Sequence, residues 1–304
     1  MLNISKIVDI IDSSKVKFNE PMSKHTTIKI GGVADALVIP STVDDIICTL
    51  RFAKMNNIPV TVIGNGSKLL VTDKGIRGIV IKIGSKFNKF KVYDDDDTIT
   101  VGAGMSMPRL SRLTMKEGLS GFEFACGIPG VIGGGVRMNA GAYGSEMSDI
   151  LIRTTYIDEN LELKVLEHSE HNFAYRYSIF KEHPSHVIVS AEFKLERKSP
   201  EEIMEKITQN TMARKEKQPL EYPNAGSTFK RPEGFFVGTM IEELGLKGYR
   251  IGDAEVSTKH AGFIVNRGKA TASDVISLIE YIKEKVLEKY GVKLENEIIV
   301  LGER

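Results

Sequence analysis

Three observations predict an α/β class for this chain. Short apolar runs alternate with amphipathic helical repeats from residue 33 onward, the helical repeats open on recognisable caps, and strands run straight into glycine-rich turns. A length of 304 residues adds that the chain folds as two or three domains, each able to bury its own core.

The elements follow in order. Residues 1–24 are read as an N-terminal helical segment. "VADALVI", 33–39, reads as a strand stopped by Pro40, and Thr42 with Asp45 forms a capping box for a helix running to Asn56, apolar at Ile46, Leu50 and Ala53. "NIPVTVIGNG" is a strand entering a glycine turn. Strands are expected at 78–83, 90–94 and 98–104, with the acidic "DDDD" of 94–97 as a solvated hairpin tip rather than a metal loop, since no patterned ligands flank it. Ser106 and Pro108 open a helix to about Gly118. "ILIRTTYI" and "LELKVLEH", separated by "DEN", read as a hairpin, and 186–195 as a further strand. Ser199, Pro200 and Glu202 start a helix to about Lys215. The last elements are a helix over about 274–290, apolar at Val275, Ile279, Ile282 and Val286 and stopped by Gly291, and a strand in "EIIVLG". A domain boundary is placed near 196–200.

Composition excludes several function classes. Lys plus Arg number 41 against 40 Asp plus Glu, so there is no electrostatic footprint for nucleic acid. Charges interrupt the N-terminal apolar positions, and no apolar run reaches the roughly 18 residues of a membrane span, so neither a signal peptide nor membrane insertion is expected and the chain is read as cytoplasmic. Cys48, in a helix, and Cys126, in a strand before a loop, fit a reduced compartment. His168 with His171 and His183 with His186 lie in charged stretches without a third ligand. Surface histidines, and no metal, are the expectation.

Two glycine-rich stretches carry most of the functional information. "IGNGSKLL", 63–70, follows a strand and offers backbone N–H groups in a turn, with Ser67 as an extra donor; this is a plain turn or a phosphate nest, and it has neither Walker nor Rossmann spacing. "GIPGVIGGGVRMNAGAYG", 127–144, holds seven glycines in eighteen residues. Each glycine costs a helix or strand roughly 0.5 to 1 kcal/mol relative to alanine, so either tight backbone packing or close approach by a bulky pyrophosphate-bearing ligand is implied. In "YPNAGSTFKRP", 222–232, Ser227 follows Ala225 and Gly226 without a Gly-x-Ser-x-Gly elbow, which leaves a turn residue or a proton donor rather than an acyl nucleophile.

Taken together, "TTIKIGG" at 26–32, "GNGSKLL", "GIPGVIGGGVRMNAGAYG", "YRYS" at 175–178, "NAGSTFKRP" and "LENEIIVLG" occur in the order found in the UDP-N-acetylenolpyruvoylglucosamine reductase family. The chain resembles that family from about residue 20 to 302. The short gap between Ser178 and the strand at 187 resembles its shorter, second class. The resemblance implies an oxidoreductase, a UDP-N-acetylmuramate dehydrogenase of peptidoglycan precursor synthesis. Its fold would be a two-lobed FAD-binding domain of the vanillyl-alcohol-oxidase (PCMH) type over 25–196, with lobes of about 25–84 and 85–196, followed by an α/β substrate-binding domain over 197–304. FAD is the implied cofactor, and NADPH and the enolpyruvyl ether of UDP-N-acetylglucosamine are the implied partners.

Roles transfer by motif. The resemblance implies FAD contacts from Ile63, Gly64, Asn65, Gly66 and Ser67, and from Gly127, Ile128, Pro129, Gly130, Gly133, Gly134, Asn139, Gly141, Ala142 and Tyr143. Arg176 would hold the substrate carboxylate, Ser227 would donate the proton, and Glu297 would assist as acid. Tyr175, Lys217, Asn224, Gly226, Lys230 and Arg231 would contact the anionic nucleotide sugar or NADPH phosphates.

This chain departs from the family at several positions: Lys68 stands where Asn is usual, Val131 for Ser or Thr, Asp253 for Gly, Gly262 for Asn, and Asn296 and Ile299 for Pro and Arg. By the resemblance, loss of a hydroxyl at 131 would remove one flavin or phosphate contact worth about 1 kcal/mol. Two other readings use the same residues: an FAD-dependent oxidase of the same wider fold, and a silent nucleotide-sugar or flavin-binding module.

Overall fold

The computed structural model describes residues 4–93 and 95–303. The chain divides into two compact units: the first takes residues up to Lys17, Ala36–Asn65 and Gly78–Arg214, the second Phe18–Asp35, Gly66–Arg77 and Lys215 onward. The chain passes from one unit to the other inside the strands Val16–Pro21, Val33–Val38 and Ile76–Lys82.

In the first unit, strands Val60–Ile63 and Ile76–Lys82 pair in parallel, Val60 opposite Ile79. Between Val33–Val38 and Val60–Ile63 runs helix α1, Val43–Met55, opened by the expected Thr42–Asp45 capping box and burying Ile46, Thr49, Phe52 and Ala53. An antiparallel sheet follows, in the order Leu163–Glu167, Leu151–Ile157, Val187–Lys194, Thr98–Gly102, Phe90–Tyr93. Both predicted hairpins are present, with Thr154 opposite Leu166 and Tyr93 opposite Thr98. Residues 95–97 turn the second hairpin, while Asp94, part of the predicted acidic tip, lies outside the described residues. Helix α2, Met107–Lys116, has Ser106 Oγ accepting from Arg109 N. Phe122 meets Phe193 edge-on at 4.9 Å in the core.

Two expectations are corrected here. Cys126 lies in a 3-10 turn, Glu123–Gly127, not a strand. His171 is 0% exposed rather than on the surface. Its ring bonds Thr154 Oγ1 at 3.0 Å and the Glu167 carbonyl at 2.8 Å and stacks on Phe173. A neutral imidazole with both nitrogens satisfied sits in a core at little cost.

After the short helix α3, Ile132–Arg137, helix α4 spans Pro200–Lys217 and opens on the expected Ser199–Glu202 box. The sequence reading puts the domain boundary at 196–200, whereas the first unit extends through α4 to Arg214. Hydrogen bonds hold the helix there: Asn210 Nδ2 donates to the Glu123 carbonyl (3.0 Å) and Tyr143 hydroxyl to the Asn210 carbonyl (2.9 Å).

The second unit is built on an antiparallel sheet in the order Asn224–Ser227, Phe263–Asn266, Ala254–Val256, Arg250–Ile251. Helices α5, Val237–Glu243, and α6, Ala272–Tyr290, share its core; α6 buries Val275, Leu278, Ile279, Ile282 and Val286 and ends at Gly291 with φ 67°. Strand Leu69–Val71 pairs in parallel with Ile299–Leu301. Ile28, Ile30 and Leu70 join this core, which is why 18–35 and 66–77 fold with the C-terminal third and not with the lobe at 25–84 that the sequence reading assigns. Asp73 ties the same segment to α6 by accepting from Ala272 N (2.8 Å) and Ser273 N (3.0 Å). The N-terminal stretch is only partly helical, with 3-10 turns at Ile4–Asp9 and Ser13–Lys15 and then the strand Val16–Pro21.

Candidate functional site

In the first unit the strand Val60–Ile63 delivers Gly64 and Asn65 against the second glycine run. Asn65 Nδ2 donates to the Pro129 carbonyl at 2.6 Å, and Gly64 lies so close to Val131 Cγ2 that a Cβ at position 64 would force the Val131 side chain to shift. The two sequence motifs are therefore neighbours in space. Val131 is the N-cap of α3, with φ −109° and ψ 161°, and caps no backbone N–H with its side chain.

The glycines of 127–144 serve the chain's own packing more than expected. A Cβ on Gly127 would stand 2.6 Å from Arg214 Cδ, one on Gly133 3.1 Å from Ala103 Cβ, one on Gly135 2.7 Å from Met147 Cε, and one on Gly141 2.6 Å from Glu146 Cβ. Gly134 differs, since a Cβ there would meet nothing within 4 Å. The packing reading holds at Gly127, Gly133, Gly135 and Gly141, while Gly134 leaves the space beside its backbone open. Ile128 is half-buried, and the Gly130 carbonyl accepts from Met107 N at 3.1 Å. Asn139, fully buried at φ 43°, donates to Glu146 Oε1 (2.7 Å) and the Ala174 carbonyl (3.2 Å) and accepts from Ser148 N (3.0 Å), so its amide braces the loop from within. Ala142 opposes Ser145, and Tyr143 is held through its hydroxyl to α4.

That brace reaches the "YRYS" motif. Ala174 and Tyr177 close a tight reversal through two backbone hydrogen bonds (3.2 and 3.0 Å), with Arg176 at φ 56°. Arg176 Nη2 donates to the Gly141 carbonyl at 3.3 Å, its guanidinium lies 4.9 Å from the exposed Tyr175 ring, and Ser178 Oγ donates to the Arg137 carbonyl at 2.9 Å. Arg176 is thus fixed to the glycine run at three places along its own hairpin. Burial lowers the pKa of Arg137, within this run, and of Arg214, whose side chain lies against Gly127, from the usual arginine value, which marks two desolvated cations at the run. The sequence reading assigns neither of them a role.

In the second unit three segments converge. Asn224 Oδ1 accepts from Gly226 N (2.9 Å) in a turn that takes Gly226 to φ 74° and shifts the register between Asn224 and Ser227, re-aiming Ser227 at the strand end. Thr27 Oγ1 fixes the Asn224 carbonyl at 2.7 Å. Gly66, at φ 65°, leaves no room for a Cβ against the His25 carbonyl, and Thr27 Oγ1 also donates to the Ser67 carbonyl at 3.4 Å. Glu297 N donates to the Thr228 carbonyl at 2.8 Å, and Phe229 bridges Asn296, so Ser227 and Glu297 are carried by adjoining backbone.

Lys68 enters the same cluster. The parallel pairing of Leu69 with Ile299 puts it beside Glu297, and its Nζ lies 2.8 Å from Glu297 Oε1 and 2.8 Å from the Ser227 carbonyl. Glu297 is 5% exposed. The sequence reading marks Lys68 only as a departure from Asn; its ion pair depends on a strand pairing more than two hundred residues apart. Next to Glu297, Asn296 Oδ1 is buried with no hydrogen-bond partner among the described residues. Lys230 pairs with Glu295 at 2.8 Å, Arg231 donates to the Phe235 carbonyl at 3.2 Å beneath the Phe236 ring, and Lys217 is exposed at the end of α4.

Comparison with known proteins bears on both units. Residues 34–166 match the family model described as an FAD binding domain, and 218–301 match the C-terminal domain of UDP-N-acetylenolpyruvoylglucosamine reductase. The chain is 47% identical to the UDP-N-acetylenolpyruvoylglucosamine reductase of Caldanaerobacter subterraneus subsp. tengcongensis, over 99% of this chain and 98% of that one. It is 46% identical to the protein of that name from Syntrophomonas wolfei, over 98% and 99%. Among solved structures, the reductase of Thermus caldophilus superposes with a TM-score of 0.79 at 35% identity, covering 94% of this chain and 97% of that one. The glucose dehydrogenase Phl p 4.0202, at 15% identity and TM-score 0.51 over 65% of this chain, shares the fold alone.

Proposed function

The chain belongs to the UDP-N-acetylenolpyruvoylglucosamine reductase family, and from that premise we propose how its own residues divide the reaction. It is an oxidoreductase that uses FAD to reduce the enolpyruvyl group of UDP-N-acetylglucosamine-enolpyruvate to UDP-N-acetylmuramate in peptidoglycan synthesis. NADPH is the proposed source of reducing equivalents. The flavin, when bound, supplies the hydride for the double bond. The residues of the first unit fit that cofactor: Gly64 to Val131 join the two glycine loops, and Gly134 leaves its backbone uncovered.

Saturating the enolpyruvyl double bond needs one hydride and one proton, and the charge that develops between those events falls on the conjugated carboxylate. Arg176, permanently cationic and fixed to the glycine run, is proposed to hold that carboxylate and take up the charge. Ser227 is proposed to deliver the proton from its hydroxyl, with Glu297 assisting. Glu297 and Ser227 sit on adjoining backbone through the Thr228 carbonyl, and this is the observation that supports the pairing most. Lys217, Lys230, Arg231, Tyr175, Asn224 and Gly226 are proposed substrate contacts; for Lys230 and Arg231 this requires exchanging Glu295 and the Phe235 carbonyl for phosphate. A cytoplasmic site of action is proposed; no helix among the described residues is long and apolar enough to cross a membrane.

The test is a visible spectrum of the purified protein and NADPH oxidation with and without the enolpyruvyl nucleotide sugar. Flavin absorbance with substrate-dependent oxidation is the expected result. A protein that neither carries nor takes up FAD, or that reoxidises with oxygen and ignores the nucleotide sugar, overturns the reading.

A further inference from the structure

Lys68 occupies a position that neither strand pairing nor core packing requires to be a lysine. It immediately precedes Leu69–Val71, and its backbone carbonyl accepts from Ile299 N at 2.8 Å, a bond any residue supplies. The side chain does something different. A lysine ammonium has three donors and no acceptor, and here two of the contacts are with Glu297 Oε1 and the Ser227 carbonyl, both at 2.8 Å. It lies over the turn that aims Ser227, since a Cβ added to Gly226 would stand 3.2 Å from Nζ. The side chains of the pair are 26% and 5% exposed, so the attraction acts in a medium less polarisable than water.

We propose that Lys68 is a positioning residue of the reaction, its ammonium clamping the Ser227-bearing turn to the Glu297 carboxylate and holding the two side chains in one geometry. The inference rests on the roles given above to Ser227 and Glu297. An uncharged side chain at 68 leaves the Glu297 carboxylate and the Ser227 turn joined only through the backbone bond at the Thr228 carbonyl, and the carboxylate then loses its fixed place relative to the turn. Proton delivery is sensitive to such displacement, because a misplacement of about 1 Å costs on the order of 100-fold in rate.

The experiment uses the full-length, FAD-loaded protein and separates the two half-reactions by rapid mixing. Lys68→Met is expected to slow reoxidation of the reduced enzyme by the enolpyruvyl nucleotide sugar about 100-fold, while flavin reduction by NADPH stays within about twofold. Lys68→Arg, which keeps a cation, is expected to recover most of the loss. In a Glu297→Gln background Lys68→Met adds no further loss, and the same non-additivity appears in the thermal midpoints, a readout independent of turnover. Unchanged reoxidation in Lys68→Met, equal loss in both half-reactions, or additive loss with Glu297→Gln overturns the inference. Lys68→Leu, which likewise removes the charge and the donors, decides the matter in the same way if Lys68→Met fails to fold. If the unaltered enzyme itself ignores the enolpyruvyl sugar, the functional reading falls; if it turns over normally and Lys68→Met matches it, this inference alone falls.

Discussion

Gly64 and Val131 press together so closely that a methyl group on Gly64 would overlap Val131 Cγ2. The contact joins the two glycine motifs, and it sits on the residue that caps α3 without a capping hydroxyl. Val131→Thr is nearly isosteric and adds that hydroxyl. It is expected to stabilise the protein by about 1 kcal/mol and to slow loss of FAD, read as a higher thermal midpoint and more flavin retained through gel filtration. Gly64→Ala is expected to lower both.

Ser227→Ala removes the proposed proton donor and leaves the backbone turn at Gly226 intact. Reoxidation of the reduced enzyme by substrate is expected to fall by about 100-fold or more, with reduction by NADPH preserved. Unchanged turnover would move the proton to another group.

Arg176→Lys keeps the charge but not the planar fork. Loss of one charged hydrogen bond is worth about 1.5 to 3 kcal/mol, so kcat/KM is expected to fall roughly 10- to 100-fold. The thermal midpoint stays near that of the parent, since the hairpin closes through the Ala174 and Tyr177 backbones.

Burial holds His171 below the usual 6.5. The folded state keeps it neutral while the unfolded chain binds a proton as pH falls through that value, so the stability it contributes is complete above about 6.5 and is lost as pH drops toward the lowered folded value. Burial lowers His260 in the same direction. The thermal midpoint is therefore expected to decline below about pH 6.5, and His171→Asn, less stable at neutral pH, is expected to show a shallower decline.

Asp73→Asn weakens the anchor on the first turn of α6, where the carboxylate accepts from two backbone N–H groups and from Ser273 Oγ. Burial alone would raise its pKa, but these bonds bring it below the ordinary aspartate value. The expected cost is about 1 kcal/mol, measured by urea unfolding.

Local rules read most of the elements correctly. Thr42, Ser106 and Ser199 announce their helices because a cap is a contact within four residues, and the two hairpins declare themselves through alternation and a turn. What the sequence hides is long-range. His171 reads as a surface residue because Thr154, Phe173 and Phe180 close around it only in the folded chain. The packing roles of the glycines at 127, 133, 135 and 141 are not legible in the run because Arg214, Ala103, Met147 and Glu146, which they pack against, lie outside it. Lys68 reads as an oddity because its meaning is a parallel strand pair closed at the far end of the chain.

That pairing has a kinetic side. Leu69–Val71 leaves the ribosome well before Ile299–Leu301 exists, and at roughly 5 to 20 residues per second the strand waits on the order of 10 s or more for its partner. During synthesis the segment is an unpaired apolar edge with Leu70 bound for a core not yet made. A chain stopped before Ile299 would make that delay permanent, so the codons for Ile299–Leu301 decide whether a strand translated more than two hundred residues earlier ever finds its neighbour.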